Sequence, residues 1–145
     1  MNIAIFAGGN KTFTASRLAV KLAETLRGQG HEAVVFAVKG KIKNKAQIPL
    51  VEYAAIAKPK TLEGLLKKQE AQFVISFMNL TACQTAIQAE IPFIYVENEG
   101  FKEDKAVKDK KAILKKAQKI LVIRTSEDPL NKKPYAGLKV QEVTN

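Results

Sequence analysis

The chain has 145 residues, of which 46% are hydrophobic and 26% are charged, and its formal net charge is +10. Length and composition are those of one globular domain over residues 1–145, and they exclude disordered, collagen-like and disulfide-rich chains. With one cysteine and one histidine, the chain offers no zinc ligand set, and nothing in it resembles a Ser-His-Asp or Cys-His site. No apolar run reaches the roughly 18–20 residues of a membrane-spanning helix. We therefore expect a cytoplasmic domain that holds neither a metal nor another cofactor.

The first 38 residues predict a strand, a helix and a second strand. The sequence NIAIFA at Asn2–Ala7 is a nearly continuous apolar run, which is typical of a strand covered on both faces. After a pair of glycines, a helical period of apolar residues begins at Thr14 and continues to Gly28 or Gly30. His31–Val38 again has a strand pattern, so this segment reads as a βαβ unit.

The alternation of strands and helices continues to the end of the chain. Further strands are predicted at Leu50–Ala55, Phe73–Met78, Pro92–Glu97, Ile120–Arg124 and, as a last short strand, Leu138–Val143. Further helices are predicted at Thr61–Ala71, Leu80–Ala89 and Glu103–Lys119. This rhythm predicts an α/β fold with a doubly wound, mainly parallel Rossmann-like sheet and helices on both faces, in a single domain.

Positive charge is distributed unevenly along the chain. Residues 73–100 contain no lysine or arginine and three acidic residues, as expected for interior strands and a packed helix. The excess positive charge then lies on the surrounding surface, where it favours phosphorylated small molecules, nucleic acid or acidic lipid headgroups. Lysine-rich helices also simply keep a protein in solution, and the sequence leaves both interpretations open. No recognition motif for nucleic acid accompanies the charge, so we do not expect a nucleic-acid partner.

The predicted helix Glu103–Lys119 carries much of this charge. It has an apolar stripe and a basic face. Such a helix can lie on an anionic membrane surface. It can equally pack its stripe on its own sheet and leave its lysines in water.

Ligands of a doubly wound sheet bind outside the carboxyl ends of its strands, so the segments after each strand are the candidate sites. The segment after the first strand has the strongest pattern, and its predicted ligand-binding residues are Gly8, Gly9, Asn10, Lys11 and Thr12. Glycines allow a ligand to approach the backbone, and the N-terminus of the following helix favours phosphate or carboxylate oxygens. The segment matches neither the P-loop nor the G-x-G-x-x-G pattern. A glycine turn without a ligand is the alternative.

Polar residues also follow two later strands. Glu97 and Glu99 stand beside Gly100 and are the candidate catalytic residues, because two acids there can act as a base or orient a sugar hydroxyl. An ordinary polar rim is the alternative. Asn79 is a candidate ligand-binding residue, with capping of the following helix as its alternative role.

Three passages of the chain carry a resemblance to a known family. MNIAIFAGGN, followed by a helix that ends in LRGQGHEAVVFAV, resembles the opening of the N-terminal domain of GT-B type, group 1 (family 4-like) glycosyltransferases. FVISFMNLTACQTAIQAEIPFIYVENEG is similar to the family's strand, small-residue helix and A-x-x-x-I-P entry to the next strand. KKAQKILVIRTSEDPLNKKPYAGLKVQEVTN resembles its A-x-x-(I/V)-(I/L)-V-x-S segment, and Asn145 falls where the family has its inter-domain Asn-Gly.

The resemblance implies the acceptor-side half of an enzyme that moves a sugar from a nucleotide-sugar donor to an unidentified acceptor. The donor would be held mainly by a C-terminal glycosyltransferase domain, in cis or in trans, so this half would be inactive alone. Gly8 and Gly9 match the family's glycine turn near the donor phosphates, and Ser126 matches a serine that opens a short helix after the sixth strand. Many members have an acceptor-side catalytic histidine after the fourth or fifth strand. This chain has no histidine at either place, and Glu97 or Glu99 would take over its role.

The resemblance also bears on location and on the alternative function. Several such enzymes dock on anionic membranes through this domain, which implies a cytoplasmic protein that can be peripheral at the inner membrane face. Without the resemblance, the residues fit a stand-alone Rossmann-like module that binds a phosphorylated metabolite and performs no catalysis.

Overall fold

The alternating strand and helix patterns of the sequence form one parallel sheet flanked by helices in a computed structural model of the chain. The structure describes residues 1–8, 13–40, 42, 48–54, 57–101 and 109–144, without the side chains of residues 13–15. The strands are β1 (Asn2–Phe6), β2 (Glu32–Val38), β3 (Leu50–Tyr53), β4 (Phe73–Phe77), β5 (Phe93–Asn98), β6 (Lys119–Arg124) and β7 (Val140–Thr144). The helices are α1 (Phe13–Gly28), α2 (Pro59–Lys68), α3 (Leu80–Gln88) and α4 (Lys110–Leu114), followed by a 3-10 turn at Lys133–Tyr135.

The order of the strands places one crevice in the fold. Among the described residues the sheet runs β3-β2-β1-β4-β5-β6-β7, and all neighbouring strands are parallel. The chain moves outward from β1 to β3, returns through α2 to β4 beside β1, and then moves outward to β7. The direction therefore reverses between β1 and β4. Such a reversal leaves a crevice at the carboxyl ends of the two strands, which is where parallel sheets bind their ligands.

The two faces of the sheet pack against different helices, because successive side chains of a strand point to opposite faces. On one face, called here the α3 face, Phe6 and Tyr95 pack with Leu66 of α2 and with residues of α3 and α4. On the opposite face, called the α1 face, Ile5 packs with small residues of α1 such as Ala19. The predicted doubly wound α/β fold with helices on both faces is thereby confirmed.

The predicted long helix Glu103–Lys119 is wrong where the structure describes it. Only Lys110–Leu114 is helical, and residues 102–108 lie outside the described residues. Asp109, directly before α4, has a left-handed backbone with φ of 64°, which a continuous helix cannot contain. After Leu114 the chain turns at residues 115–116, and Lys119 already pairs with β5 as the first residue of β6.

One other helix begins earlier than predicted. The sequence suggests a start at Thr61, whereas α2 starts at Pro59 and ends at Lys68. The backbone N–H at the first position of a helix has no partner within the helix, so a proline there costs no hydrogen bond. Its fixed φ also matches the helical value. Glu70, with φ of 53°, then turns the chain toward β4 before the predicted end at Ala71.

Candidate functional site

Gly8, the first residue of the glycine segment, lies at the crevice between the ends of β1 and β4. Gly8 follows β1 by two residues and is buried. Gly9, Asn10, Lys11 and Thr12 lie outside the described residues, so their ligand-binding role stays a prediction. The structure therefore places the start of the predicted anion-binding turn at the edge of the sheet where ligands are expected.

Asn79 lies on the other side of the crevice, and both the oxygen and the nitrogen of its side-chain amide form hydrogen bonds within the fold. Its Oδ1 accepts a hydrogen bond from the backbone N–H of Ala82 at 3.0 Å, so it caps α3, as the alternative interpretation of this residue held. Its Nδ2 donates to the hydroxyl of Tyr53 at 3.1 Å and to the backbone oxygen of Ala7 at 3.4 Å. Asn79 thus ties the ends of β1, β3 and β4 together at the crevice. A direct contact with a ligand stays a prediction.

The backbone turns sharply where β4 enters α3. Met78 adopts φ of 52°, in the left-handed region that an unbranched apolar side chain rarely occupies, and its side chain is only 5% exposed. Its backbone N–H remains bonded to the oxygen of Val96 on β5. This strained residue therefore ends the strand and allows Asn79 to face back across β1.

Tyr53 is a residue of this crevice that the sequence prediction missed. It is the last residue of β3, and its ring lies 6.2 Å from the ring of Phe6, measured between centroids. Burial raises the pKa of its hydroxyl, and the hydrogen bond from Asn79 only partly offsets that increase. The signal was present in the predicted strand Leu50–Ala55, since a tyrosine near a strand's carboxyl end can reach a crevice. Identifying it needed the strand order, which brings β3 and β4 to opposite sides of β1.

Glu97 lies in a closed cluster at the end of β5. The residue is 1% exposed, and its two carboxylate oxygens contact the Lys110 amino group at 2.8 Å and the Tyr135 hydroxyl at 2.7 Å. The same Lys110 amino group lies 5.9 Å from the ring centroid of Tyr95 and 6.0 Å from that of Phe101. In this arrangement the chain's own side chains cover Glu97, so the catalytic role predicted for it would require the cluster to open.

Glu99 lies nearer the surface and is held by β6. Its Oε2 accepts hydrogen bonds from the Arg124 side chain at 3.1 Å and from the backbone N–H of Thr125 at 3.0 Å. These contacts, the backbone one first, lower the pKa of the Glu99 carboxyl. An ionised carboxylate of low pKa is a weak general base, but it readily accepts a hydrogen bond from a sugar hydroxyl. Its catalytic role stays a prediction, and the geometry favours orientation of a hydroxyl over removal of a proton.

Arg124 organises the end of β6 around Glu99. Its guanidinium group also contacts Glu142 of β7 at 2.6 Å and the backbone oxygens of Ser126 and Asp128. The Ser126 hydroxyl accepts a hydrogen bond from the backbone N–H of Asp128 at 3.0 Å, which closes a tight exposed turn. The ligand-binding role of Ser126 stays a prediction.

The candidate residues are spread along the carboxyl edge of the sheet. At about 4.8 Å between neighbouring strands, Glu99 on the β5 side lies roughly 10 Å from Gly8, and Ser126 beyond β6 roughly 14 Å away. These distances suit an extended ligand rather than a single compact group. The structure therefore brings Gly8, Asn79 and Tyr53 together and leaves Glu97, Glu99 and Ser126 along the same edge.

Other features of the described residues lie away from this edge or add no chemistry to it. A cavity of about 230 Å³ is lined by Ala4, Val34, Phe36 and Ala71, near the amino ends of β1 and β2. Within the described ranges no group of three or more His, Cys, Asp or Glu side chains could hold a metal ion. In the same part of the chain, no helix is long and apolar enough to cross a bilayer.

Solved structures share this fold. MurG from Acinetobacter baumannii matches with a TM-score of 0.64 at 14% identity, over 96% of this chain and 44% of that chain. SsfS6, a glycosyltransferase from Streptomyces sp. SF2575, matches with a TM-score of 0.54 at 20% identity, over 67% of this chain and 39% of that chain. CobK precorrin-6A reductase matches with a TM-score of 0.53 at 17% identity, over 100% of this chain and 68% of that chain. No protein-family model and no curated protein sequence matches the chain.

These similarities establish the fold. MurG and SsfS6 are glycosyltransferases, so the resemblance found in the sequence is confirmed at the level of the fold. The chain spans less than half the length of either of them. Because the reductase shares the fold at a similar TM-score, the function must be argued from the site.

Proposed function

We propose that this chain is the N-terminal, acceptor-side half of a glycosyltransferase that moves a sugar from a nucleotide-sugar donor to an acceptor. In this proposal a C-terminal domain, in cis or in trans, binds most of the donor, and the chain alone is inactive. The carboxyl edge of the sheet forms one wall of the cleft between the two halves.

One observation carries the proposal. The crevice at the reversal point holds Gly8 of the glycine turn that resembles the family's phosphate-facing turn, within a fold shared by two glycosyltransferases. The ionised Glu99 farther along the same edge supplies an acceptor for sugar hydroxyls. An edge roughly 10 Å long between these groups fits a ligand with a phosphate end and a sugar end.

The experiment compares the chain alone with an assembled enzyme. A panel of UDP-, GDP- and dTDP-sugars is titrated onto the isolated chain, and release of the nucleoside diphosphate is followed. We expect weak binding and only background release. A second α/β domain, encoded after codon 145 or by a separate gene, should release nucleoside diphosphate in an acceptor-dependent reaction when it is purified together with this chain.

Two outcomes would reject the proposal. Turnover by the isolated chain near the usual enzymatic value of about 10 per second would show that no second half is needed. An assembled pair of halves that shows no acceptor-dependent release with any donor of the panel would reject the glycosyltransferase activity itself.

A second candidate function is the stand-alone module that binds a phosphorylated metabolite. The observation that favours it is the match of the complete chain to a reductase, a protein of different chemistry. A bound metabolite would raise the melting temperature of the isolated chain by mass action. A metabolite that does so while nucleotide-sugars do not would select this function over the first.

We also propose an anionic membrane surface as a partner of the assembled enzyme. Exposed lysines at the amino edge of the sheet support this proposal: Lys115, Lys116, Lys119 and Lys139. They lie at the opposite edge from the crevice, so binding there would leave the crevice open.

A further inference from the structure

We propose that Tyr53 contacts the ligand of the crevice, where its hydroxyl donates a hydrogen bond to an acceptor oxygen of the ligand. The oxygen belongs to a phosphate group or to a sugar hydroxyl. This inference deepens the proposed function, on which its choice of ligand class rests, and adds a residue that determines which ligands the crevice accepts.

The position of Tyr53 follows from the register of the sheet. Phe6 of β1 is level with Phe36 of β2, and Val38 of β2 is level with Tyr53 of β3. Continuing this register by two residues places Gly8 level with Tyr53, and both positions belong to the α3 face. To reach Asn79 beyond β1, the phenol of Tyr53 extends from the edge strand across the ends of β2 and β1. It therefore borders the crevice beside Gly8.

The hydrogen bonds fix the direction in which the hydroxyl can donate. The Oδ1 of Asn79 must accept from the Ala82 N–H to cap α3, which turns its Nδ2 toward Tyr53. An amide nitrogen only donates, so the Tyr53 oxygen is the acceptor in this contact and keeps its own proton. Among the described residues, that proton has no acceptor. The hydroxyl of this half-buried residue is thus a donor oriented by Asn79 at the edge of the crevice.

The surroundings define the chemistry that this donor selects. Burial raises the pKa of Tyr53, so the phenol stays protonated at neutral pH and remains a donor. The nearest acidic neighbour on its own strand, Glu52, lies on the opposite face and accepts a hydrogen bond from the Gly40 N–H at 2.9 Å. A hydroxyl donor without a carboxylate beside it can bind a phosphate oxygen or the oxygen of a sugar hydroxyl.

The experiment removes only the hydroxyl, with Tyr53→Phe, because phenylalanine keeps the ring that packs on Phe6. Isotope-labelled protein is titrated with three probes, pyrophosphate, methyl glucoside and UDP-glucose, while the backbone amide signals of Gly8 and Asn79 are followed. Loss of a hydrogen bond to a neutral hydroxyl should weaken binding roughly threefold to tenfold, and loss of one to a charged phosphate oxygen more than about tenfold. The probe with the larger ratio identifies the source of the oxygen.

A matched control is Tyr95→Phe, which removes a hydroxyl from a fully buried ring in the α3-face core. It should leave probe affinity unchanged. For Tyr53→Phe we expect native amide spectra together with weaker binding. Equal affinity of Tyr53→Phe and wild type, or no shift of Gly8 and Asn79 with any probe, would overturn the inference.

The results also separate this inference from the proposed function. Pyrophosphate binding that depends on Tyr53, combined with no sugar transfer by the assembled halves, would keep the Tyr53 site and reject the glycosyltransferase. Sugar transfer by the assembled halves with equal rates and affinities for wild type and Tyr53→Phe would reject the role of Tyr53 alone.

Discussion

Glu97 and Glu99 are two residues apart, and their environments give them different chemistry. Residues 97 and 98 point to opposite faces of β5, and the chain turns at residue 99. Glu97 enters the core and pairs with Lys110, whereas Glu99 stays near solvent beside Arg124. The sequence could predict that both carboxylates follow a buried strand. It could not predict their partners, because Lys110, Arg124 and Tyr135 come from distant parts of the chain.

Glu97→Gln should destabilise the fold because it removes the negative charge of the buried carboxylate that contacts the Lys110 ammonium at 2.8 Å. Removing one partner of a buried ion pair costs about 3–5 kcal/mol, and we expect the lower end since 21% of the Lys110 side chain is exposed. Urea unfolding measures the difference. The double variant Glu97→Gln with Lys110→Met should recover part of the loss. A single variant as stable as the wild type would contradict the structural role of this pair.

Glu99 predicts a dependence of stability on pH. Its pKa is lower in the folded chain than the ordinary value of 4.5, because Thr125 and Arg124 donate hydrogen bonds to the ionised form. A lowered folded-state pKa stabilises the fold above the unfolded-state pKa, and this stabilisation is lost as the pH falls through the folded-state value. Glu99→Gln should therefore melt below the wild type at pH 7, and the gap should close as the pH falls below about 4.5. Melting curves from pH 7 to pH 3 test this, and a constant gap would contradict it.

At the scale of elements, local capping was predictable and long-range competition was not. Asn79 stands before a helical period, and α3 does begin directly after it. The helix predicted over Glu103–Lys119 failed because the spacing of its apolar residues cannot show the left-handed backbone at Asp109 or the turn that follows Leu114.

Asn79 has two separable roles, and two substitutions distinguish them. Asn79→Asp keeps an oxygen for the Ala82 N–H but loses the amide donor to Tyr53 and to the Ala7 oxygen. Asn79→Ala loses both, at a cost of about 1–2 kcal/mol for the cap alone. Hydrogen exchange should show the first turn of α3 protected in Asn79→Asp and exposed in Asn79→Ala. Equal protection in the two variants would show that the cap contributes nothing to α3.

At the scale of the whole molecule, the parallel sheet and its carboxyl edge followed from the pattern of strands and helices. The rule that ligands bind at this edge is enough to assign Gly8 and Asn79 to it from their positions after predicted strands. The same rule misses Tyr53, because the contribution of β3 to a crevice between β1 and β4 depends on the order β3-β2-β1-β4. Strand order is a property of the assembled sheet, and a single sequence carries it only through the handedness and length of the connections.

The charge of +10 is also a property of the whole molecule, and its arrangement decides what the molecule binds. Exposed lysines at the amino ends of β6 and β7 and in the turn after α4 form a basic cluster, which consists of Lys115, Lys116, Lys119 and Lys139. None of the four forms an ion pair within the described part of the chain. Each lysine close to an anionic bilayer contributes about 1 kcal/mol to binding.

Replacing these four lysines with glutamine should therefore weaken binding to phosphatidylglycerol vesicles by up to roughly a thousandfold at low salt. Co-sedimentation measures the affinity, and wild-type binding should fall as salt screens the charges. The matched control replaces four exposed lysines away from the amino edge, Lys21, Lys39, Lys58 and Lys60, and has the same net charge. If both variants lose affinity equally, net charge alone governs binding and the basic cluster is no docking face. A loss confined to the first variant would place the membrane at the amino edge, with the crevice facing away from it.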